Sequence, residues 1–164
     1  MDLKKQKDFS LAEKNDIYFT IVAFGPLSTS SLKGTLMGRK KILIIDDEKL
    51  ILTTTTLLLK HANMDVVTAK NGMEGIAVAE KEKPDIILLD IMMPEMDGWS
   101  VLARIKADDR LASIPVILFS GDDQVDSGRK ARECGASAVC LKPFDAYDLI
   151  DTINGLIEKE PRIY

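Results

Sequence analysis

Residues 85–90, Asp-Ile-Ile-Leu-Leu-Asp, form a short apolar run with a carboxylate at each end. Three comparable runs occur beyond residue 41, at residues 42–45, 115–119 and 138–141, and a weaker candidate lies at residues 65–69. Short runs that are apolar almost throughout are typical of strands buried on both faces, as in a parallel sheet. We therefore predict five strands, the third of which covers residues 85–89 and is followed directly by Asp90.

Segments of helical length separate these strands, at residues 49–63, 73–83, 98–106, 124–134 and 145–159. Apolar residues recur close to the helical period in the last of them, and Gly135 after the fourth is typical of a helix C-terminus. Strands that alternate with helices predict an α/β fold of five βα units, doubly wound around one parallel sheet.

Polar residues close most of the predicted strands. Asp46 and Asp47 follow the first strand, Asp90 the third, Ser120 the fourth and Lys142 the fifth. Right-handed crossovers bring the carboxyl ends of parallel strands to one edge, where open α/β sheets bind ligands. We therefore expect three carboxylates, a hydroxyl and an ammonium to converge on one crevice.

This set of groups suits phosphoryl transfer. Clustered carboxylates repel one another and need a cation, and an oxygen-rich site with an open face favours Mg²⁺. The Asp90 carboxylate is a suitable nucleophile, since it can form an aspartyl phosphate. Lys142 and Ser120 are then expected to hold the oxygens of the transferred group.

Several motifs occur in a fixed order along the chain. They are Ile45-Asp46-Asp47-Glu48, Leu89-Asp90-Ile-Met-Met-Pro94 with Asp97-Gly98, Ser120, Gly135-Ala136 and Leu141-Lys142-Pro143-Phe144. With them, residues 39–164 resemble the CheY-like receiver domain of two-component response regulators. The resemblance implies a flavodoxin-like (βα)5 parallel sheet with the strand order 2-1-3-4-5.

The resemblance also implies a chemical role for the site. Asp90 would accept a phosphoryl group from a sensor histidine kinase or a phosphotransfer protein. Mg²⁺ would be held by Asp47, Asp90 and the backbone carbonyl of Met92, with Asp46 bound directly or through water. The protein would then be a phosphoacceptor in signalling and not an enzyme, catalysing only its own phosphorylation and slow dephosphorylation.

Further expectations of geometry follow from the same resemblance. A cis peptide bond before Pro143 would aim Lys142 into the site. The fourth helix, fifth strand and fifth helix would form the switching surface, and the first helix would dock the kinase. Two positions depart from the usual pattern: Val139 occupies the place of the switch aromatic, and Ser120 replaces a commoner threonine. Val139 therefore has no aromatic ring whose burial could carry the signal.

Composition excludes several other classes of protein. The net charge of −4 argues against a nucleic-acid-binding domain, which needs a basic face. No apolar run reaches the roughly 20 residues that span a bilayer. Cys134 and Cys140 fit neither a disulfide framework nor a zinc pattern, so we expect a reduced, cytoplasmic protein.

Residues 1–38 do not fit the regular pattern of the rest of the chain. Their one apolar patch, residues 17–24, is preceded by acidic residues and lacks a small-residue cleavage site, so a signal peptide is rejected. We favour an N-terminal extension that is disordered or wrongly included, with Met37 as an ordinary start, over one that docks on the domain or a partner. The receiver domain is predicted at residues 39–164.

We expect a stand-alone receiver, because only five residues follow the predicted fifth helix. Its output would pass through an unidentified protein target, as a binding switch or a phosphorelay shuttle. The alternative is a receiver-like interaction domain that is not phosphorylated. A phosphohydrolase is a further rival, but it needs an acid–base carboxylate two residues after Asp90, where Met92 lies.

Overall fold

The computed structural model describes residues 38–121 and 125–159. Apart from Gly38, the extension predicted at residues 1–38 lies outside the described residues, as do the last five residues of the chain. The division of the chain at residue 38 therefore stays a prediction.

Within the described ranges, five parallel strands form one sheet in the order β2-β1-β3-β4-β5, which confirms the predicted fold and strand order. The strands are β1 (Lys41–Ile45), β2 (Asp65–Ala69), β3 (Ile86–Asp90), β4 (Val116–Ser120) and β5 (Ala138–Leu141). Every residue of β3 and β4 is buried, which explains why these central strands are apolar throughout.

Helices follow every strand and cover both faces of the sheet. They are α1 (Lys49–His61), α2 (Gly72–Glu82), α3 (Gly98–Ala107), α4 (Val125–Glu133) and α5 (Ala146–Lys159). Alternate strand residues point to opposite faces. Ile44 and Phe119 pack with α1 and α5, whereas Ile45 and Leu118 pack with α2, α3 and α4. Among the described residues, no helix is long and apolar enough to cross a membrane.

One buried polar group on α1, the hydroxyl of Thr55, has no hydrogen-bond partner among the described residues. Valine has nearly the same shape, with a methyl group in place of the hydroxyl. We therefore expect Thr55→Val to raise the free energy of unfolding by about 1 kcal/mol. Urea denaturation measures this change. Thr53→Val is the matched control, because the exposed Thr53 hydroxyl donates to Lys49 O at 2.8 Å. A gain at Thr53 that equals the gain at Thr55 would contradict the explanation.

Candidate functional site

The carboxyl ends of the strands bring the predicted polar residues to one edge of the sheet. Asp46 follows β1, Asp90 ends β3, Ser120 ends β4, and Lys142 follows β5. Carboxylate oxygens of Asp46, Asp47 and Asp90 lie within 4.8 Å of one another. Asp46 and Asp90 are buried and Asp47 is exposed, so the cluster is open to solvent on the side of Asp47.

Lys142 contacts two of the three carboxylates of this cluster. Its Nζ atom donates to Asp46 Oδ2 and to Asp90 Oδ1, at 2.9 Å each, and lies 4.0 Å from Glu48 Oε1. The lysine side chain is only 17% exposed. The peptide bond between Lys142 and Pro143 is cis, as the resemblance implied. A residue 96 positions from Asp46 in sequence thus completes the site.

Burial and charge shift the ionisation of the two central groups. Desolvation raises the pKa of Asp90, with Asp46 and Asp47 adding to the effect, while the Lys142 ammonium opposes it. For Lys142, desolvation favours the neutral amine. The hydrogen bonds with Asp46 and Asp90 outweigh it and raise the pKa of Lys142. The lysine therefore stays charged, and one ammonium faces three carboxylates.

The excess of negative charge fits a divalent cation. Three carboxylates that converge from β1 and β3 supply oxygen donors, and the exposed Asp47 leaves a route for water ligands. Mg²⁺ prefers oxygen donors and keeps several waters, so the donor set suits it. Met92 lies two residues beyond Asp90 and is 78% exposed. The part assigned to its backbone carbonyl stays a prediction.

Ser120 and Lys142 are connected through the backbone. Lys142 N donates to Ser120 O at 2.6 Å, which holds the turn after β5 against the end of β4. Ser120 is buried at the same edge as Asp90. The structure thus brings the hydroxyl-bearing residue to the predicted place, and its contact with a phosphoryl group stays a prediction.

The loop after Asp90 is held by a close approach that only glycine permits. Gly98 N donates to Ile91 O at 3.0 Å, and Asp97 caps α3 by accepting from Ser100 N at 2.7 Å. A Cβ at Gly98 would overlap the Asp90 carbonyl oxygen and lie 2.8 Å from Ile91 Cα. The start of α3 is therefore packed directly against the backbone of the candidate nucleophile.

We expect Gly98→Ala to lower the free energy of unfolding by about 2 kcal/mol, because backbone atoms must move to admit the methyl group. Chemical denaturation measures the loss. Gly155→Ala in α5 is the matched control, since nothing lies within 4 Å of a Cβ there. Alanine is a better helix former, so this control is expected to gain up to about 1 kcal/mol. Equal effects at both glycines would contradict the steric explanation.

Two aromatic arrangements near the site escaped the sequence analysis. The rings of Phe119 and Phe144 stack with their centroids 4.8 Å apart. Lys130 Nζ lies 4.2 Å from the centroid of the Trp99 ring, which links α4 to the first turn of α3. Phe144 was visible only as part of the Lys-Pro-Phe motif, and no local pattern connects Trp99 with Lys130. At the usual switch position, Val139 is partly buried and packs against the core.

Comparison with known proteins defines the family. The profile of the response regulator receiver domain matches residues 42–154, so the chain belongs to this family. Receiver domains are phosphoacceptor signalling domains of two-component systems, and they typically bind Mg²⁺ through acidic residues. The acidic cluster described above lies within the matched segment.

Curated relatives and solved structures agree with this assignment. The DNA-binding dual master transcriptional regulator RpaA of Synechocystis sp. is 35% identical over 105 residues, which are 64% of this chain and 44% of RpaA. Protein PilH of Pseudomonas aeruginosa is 36% identical over 98 residues, 60% of this chain and 80% of PilH. The solved structure of the chemotaxis response regulator CheY4 of Vibrio cholerae covers 73% of this chain and 99% of its own, with 25% identity and a TM-score of 0.69. The chain thus spans less than half of RpaA but most of PilH.

Proposed function

We propose that the protein accepts a phosphoryl group on Asp90, with Mg²⁺ bound, from the phosphohistidine of a sensor histidine kinase or a phosphotransfer protein. The observation that carries this proposal is the position of Lys142 Nζ, 2.9 Å from both Asp90 Oδ1 and Asp46 Oδ2. An ammonium fixed beside a buried carboxylate is suited to stabilising the charge on a transferring phosphoryl group.

In the proposed step, Asp90 Oδ2 attacks the phosphorus atom of phosphohistidine. An oxygen–phosphorus bond forms while the phosphorus–nitrogen bond of the donor breaks, and its electron pair stays on the imidazole nitrogen. The second ring nitrogen of the donor carries a proton, so the products are an acyl phosphate on Asp90 and a neutral imidazole. We assign the attack to Oδ2 because Oδ1 accepts the hydrogen bond from Lys142.

The remaining site residues have separate tasks in this proposal. Lys142 moves its hydrogen bond from Asp90 to a phosphoryl oxygen, and the Ser120 hydroxyl donates to another. Asp47, Asp90 and the Met92 carbonyl would hold the metal, with Asp46 bound directly or through water. When bound, Mg²⁺ supplies positive charge that offsets the repulsion between the phosphoryl group and the carboxylates.

Two surfaces are assigned to protein partners. Leu50 and Leu57 lie seven positions apart on α1 and are 65% and 54% exposed, which supports docking of the donor protein beside the site. Leu141 and Tyr147 are exposed where β5 meets α5, which supports output through the α4–β5–α5 face. The downstream target is then a protein that binds this face differently when Asp90 is phosphorylated and when it is not.

We also propose that the protein works as a stand-alone cytoplasmic receiver. The large share of PilH that aligns with this chain, 80%, supports the stand-alone arrangement. The intact mass of the native protein tests it. A mass that corresponds to residues 1–164, or to a start at Met37, agrees with the proposal. A mass that requires a further domain contradicts it.

The phosphoacceptor proposal is tested by incubating the purified protein with acetyl phosphate and MgCl₂. We expect one added phosphoryl group by mass spectrometry, labile to acid and to hydroxylamine, and none when EDTA replaces the metal. Absence of the adduct would favour the interaction domain that is not phosphorylated. Multiple turnover of unrelated phosphoesters would favour a phosphohydrolase.

A further inference from the structure

A buried aromatic pair lies directly beside the Lys142 turn. The Phe119 and Phe144 rings are stacked, with an interplanar angle of 24° and 4.8 Å between centroids. Phe119 is fully buried, and Phe144 is partly buried against the core cluster that α1 and α5 share with the sheet. Phe119 immediately precedes Ser120, and Phe144 is two residues beyond Lys142. The pair therefore connects the ends of β4 and β5 below the site.

Phe119 is also connected to the candidate nucleophile. It is the register partner of Asp90 in the pairing of β3 with β4, and its carbonyl accepts from Ile91 N at 3.1 Å. Its ring centroid lies 6.0 Å from Lys142 Nζ. The backbone of Phe119 thus holds the strand end that carries Asp90, and the ring of Phe119 lies beneath the Lys142 ammonium.

A lysine side chain needs such support, because its flexible stem carries about 2 kcal/mol of rotamer entropy. The two carboxylates restrain Nζ in the metal-free site, but a bound divalent cation competes for the same oxygens. Packing of the stem and of the adjacent turn does not depend on charge, so it persists when the cation binds. The aromatic pair lies beside that turn, since Phe144 follows Pro143 directly and the Phe119 ring centroid is 6.0 Å from Lys142 Nζ.

We propose that the Phe119–Phe144 stack is a positioning device that holds the Lys142 ammonium over Asp90 during phosphoryl transfer. The inference rests on the proposed function and deepens it, since it assigns Phe144 as a positioning residue for Lys142. It predicts an unusual combination of effects for a variant in which Lys142 is displaced. A lysine that moves away from the carboxylates slows phosphorylation but leaves Mg²⁺ binding unchanged or tighter.

The test compares Phe144→Leu with Phe144→Tyr, which keeps the ring. For each variant, the phosphorylation rate is measured with acetyl phosphate at saturating Mg²⁺, and the Mg²⁺ dissociation constant by calorimetry. We expect Phe144→Leu to lower the rate about tenfold, because small misplacements of a catalytic group are costly. Its Mg²⁺ affinity is expected to equal or exceed that of the wild type. Phe144→Tyr is expected to restore the wild-type rate.

Leu156→Ala is the matched control, since Leu156 packs partly buried against the same core cluster from the last turn of α5, whereas Phe144 precedes that helix. It is expected to lower thermal stability without changing the phosphorylation rate. If Phe144→Leu is unfolded at the assay temperature by circular dichroism, Phe144→Met replaces it, because methionine fills more of the space of the ring.

Two results would overturn the positioning role. One is a wild-type rate in a folded Phe144→Leu or Phe144→Met protein, and the other is a proportional loss of rate and Mg²⁺ affinity. Either can occur while the wild-type protein is still phosphorylated on Asp90, so the proposed function is left standing. Absence of phosphorylation in the wild-type protein overturns the proposed function, and the positioning role with it.

Discussion

The Asp90→Asn variant is expected to incorporate no phosphoryl group from acetyl phosphate, whereas the wild-type protein incorporates one. The asparagine amide has nearly the same shape as the carboxylate, but its oxygen is not a comparable nucleophile. Intact-mass spectrometry after incubation with MgCl₂ measures the effect directly. Because the whole reaction passes through one atom of Asp90, we expect complete loss and not a reduced rate.

The folding of this variant serves as its control. Burial raises the pKa of Asp90, so the folded protein disfavours the ionised carboxylate, and a neutral amide is expected to keep or raise the metal-free melting temperature. Asp97→Asn is the matched variant, since asparagine also caps helices and Asp97 lies outside the acidic cluster. An adduct that persists in Asp90→Asn would place the phosphoacceptor on another residue.

Lys142→Met is expected to change two properties in opposite directions. Loss of a charged donor beside the transferring group is expected to slow phosphorylation about 100-fold. Mg²⁺ is expected to bind more tightly, because the ammonium no longer occupies Asp46 Oδ2 and Asp90 Oδ1 or repels the cation. Methionine fills the space of the lysine stem, so the packing of the turn is kept.

Phosphorylation kinetics and calorimetric titration with Mg²⁺ measure these two effects. Lys81→Met is the charge-matched control, because the Lys81 side chain is 83% exposed and lies at the end of α2. We expect it to leave both the rate and the metal affinity at the wild-type values. Weaker Mg²⁺ binding in Lys142→Met would show that the lysine supports the acidic cluster and does not compete with the metal.

The fold could be predicted because its sequence signals are local. Runs such as residues 115–119 are apolar throughout, since β4 is buried on both faces. Gly135 was expected to end a helix, and it has a φ of 86° and donates to Arg132 O. The bounds differ by one or two residues, for example where α2 begins at Gly72 and not at Met73. There Asn71 caps the helix by accepting from Glu74 N, an arrangement the sequence analysis did not use.

The residues of the site could be predicted because the carboxyl ends of parallel strands lie at one edge of the sheet. The hydrogen bonds between these side chains could not be predicted. Asp46, Asp90 and Lys142 were expected in one crevice, but the hydrogen bonds of Lys142 to both carboxylates depend on the turn after β5. The close approach of Gly98 to the Asp90 carbonyl likewise depends on how the loop between them closes. The contacts of Lys142 join residues 52 and 96 positions apart, and the Gly98 contact depends on a loop conformation, so no local sequence pattern encodes either.

The contact between Trp99 and Lys130 has a practical consequence for studying this protein. Trp99 is the only tryptophan of the chain, and its ring lies 4.2 Å from the Lys130 ammonium of α4. It follows Gly98, whose backbone packs against that of Asp90. Indole fluorescence responds to nearby charge, so the emission of Trp99 is expected to change when the Lys130 ammonium moves relative to the ring. We therefore expect that a movement of α4 that displaces Lys130 from the ring can be followed in real time by stopped-flow fluorescence of the unlabelled protein.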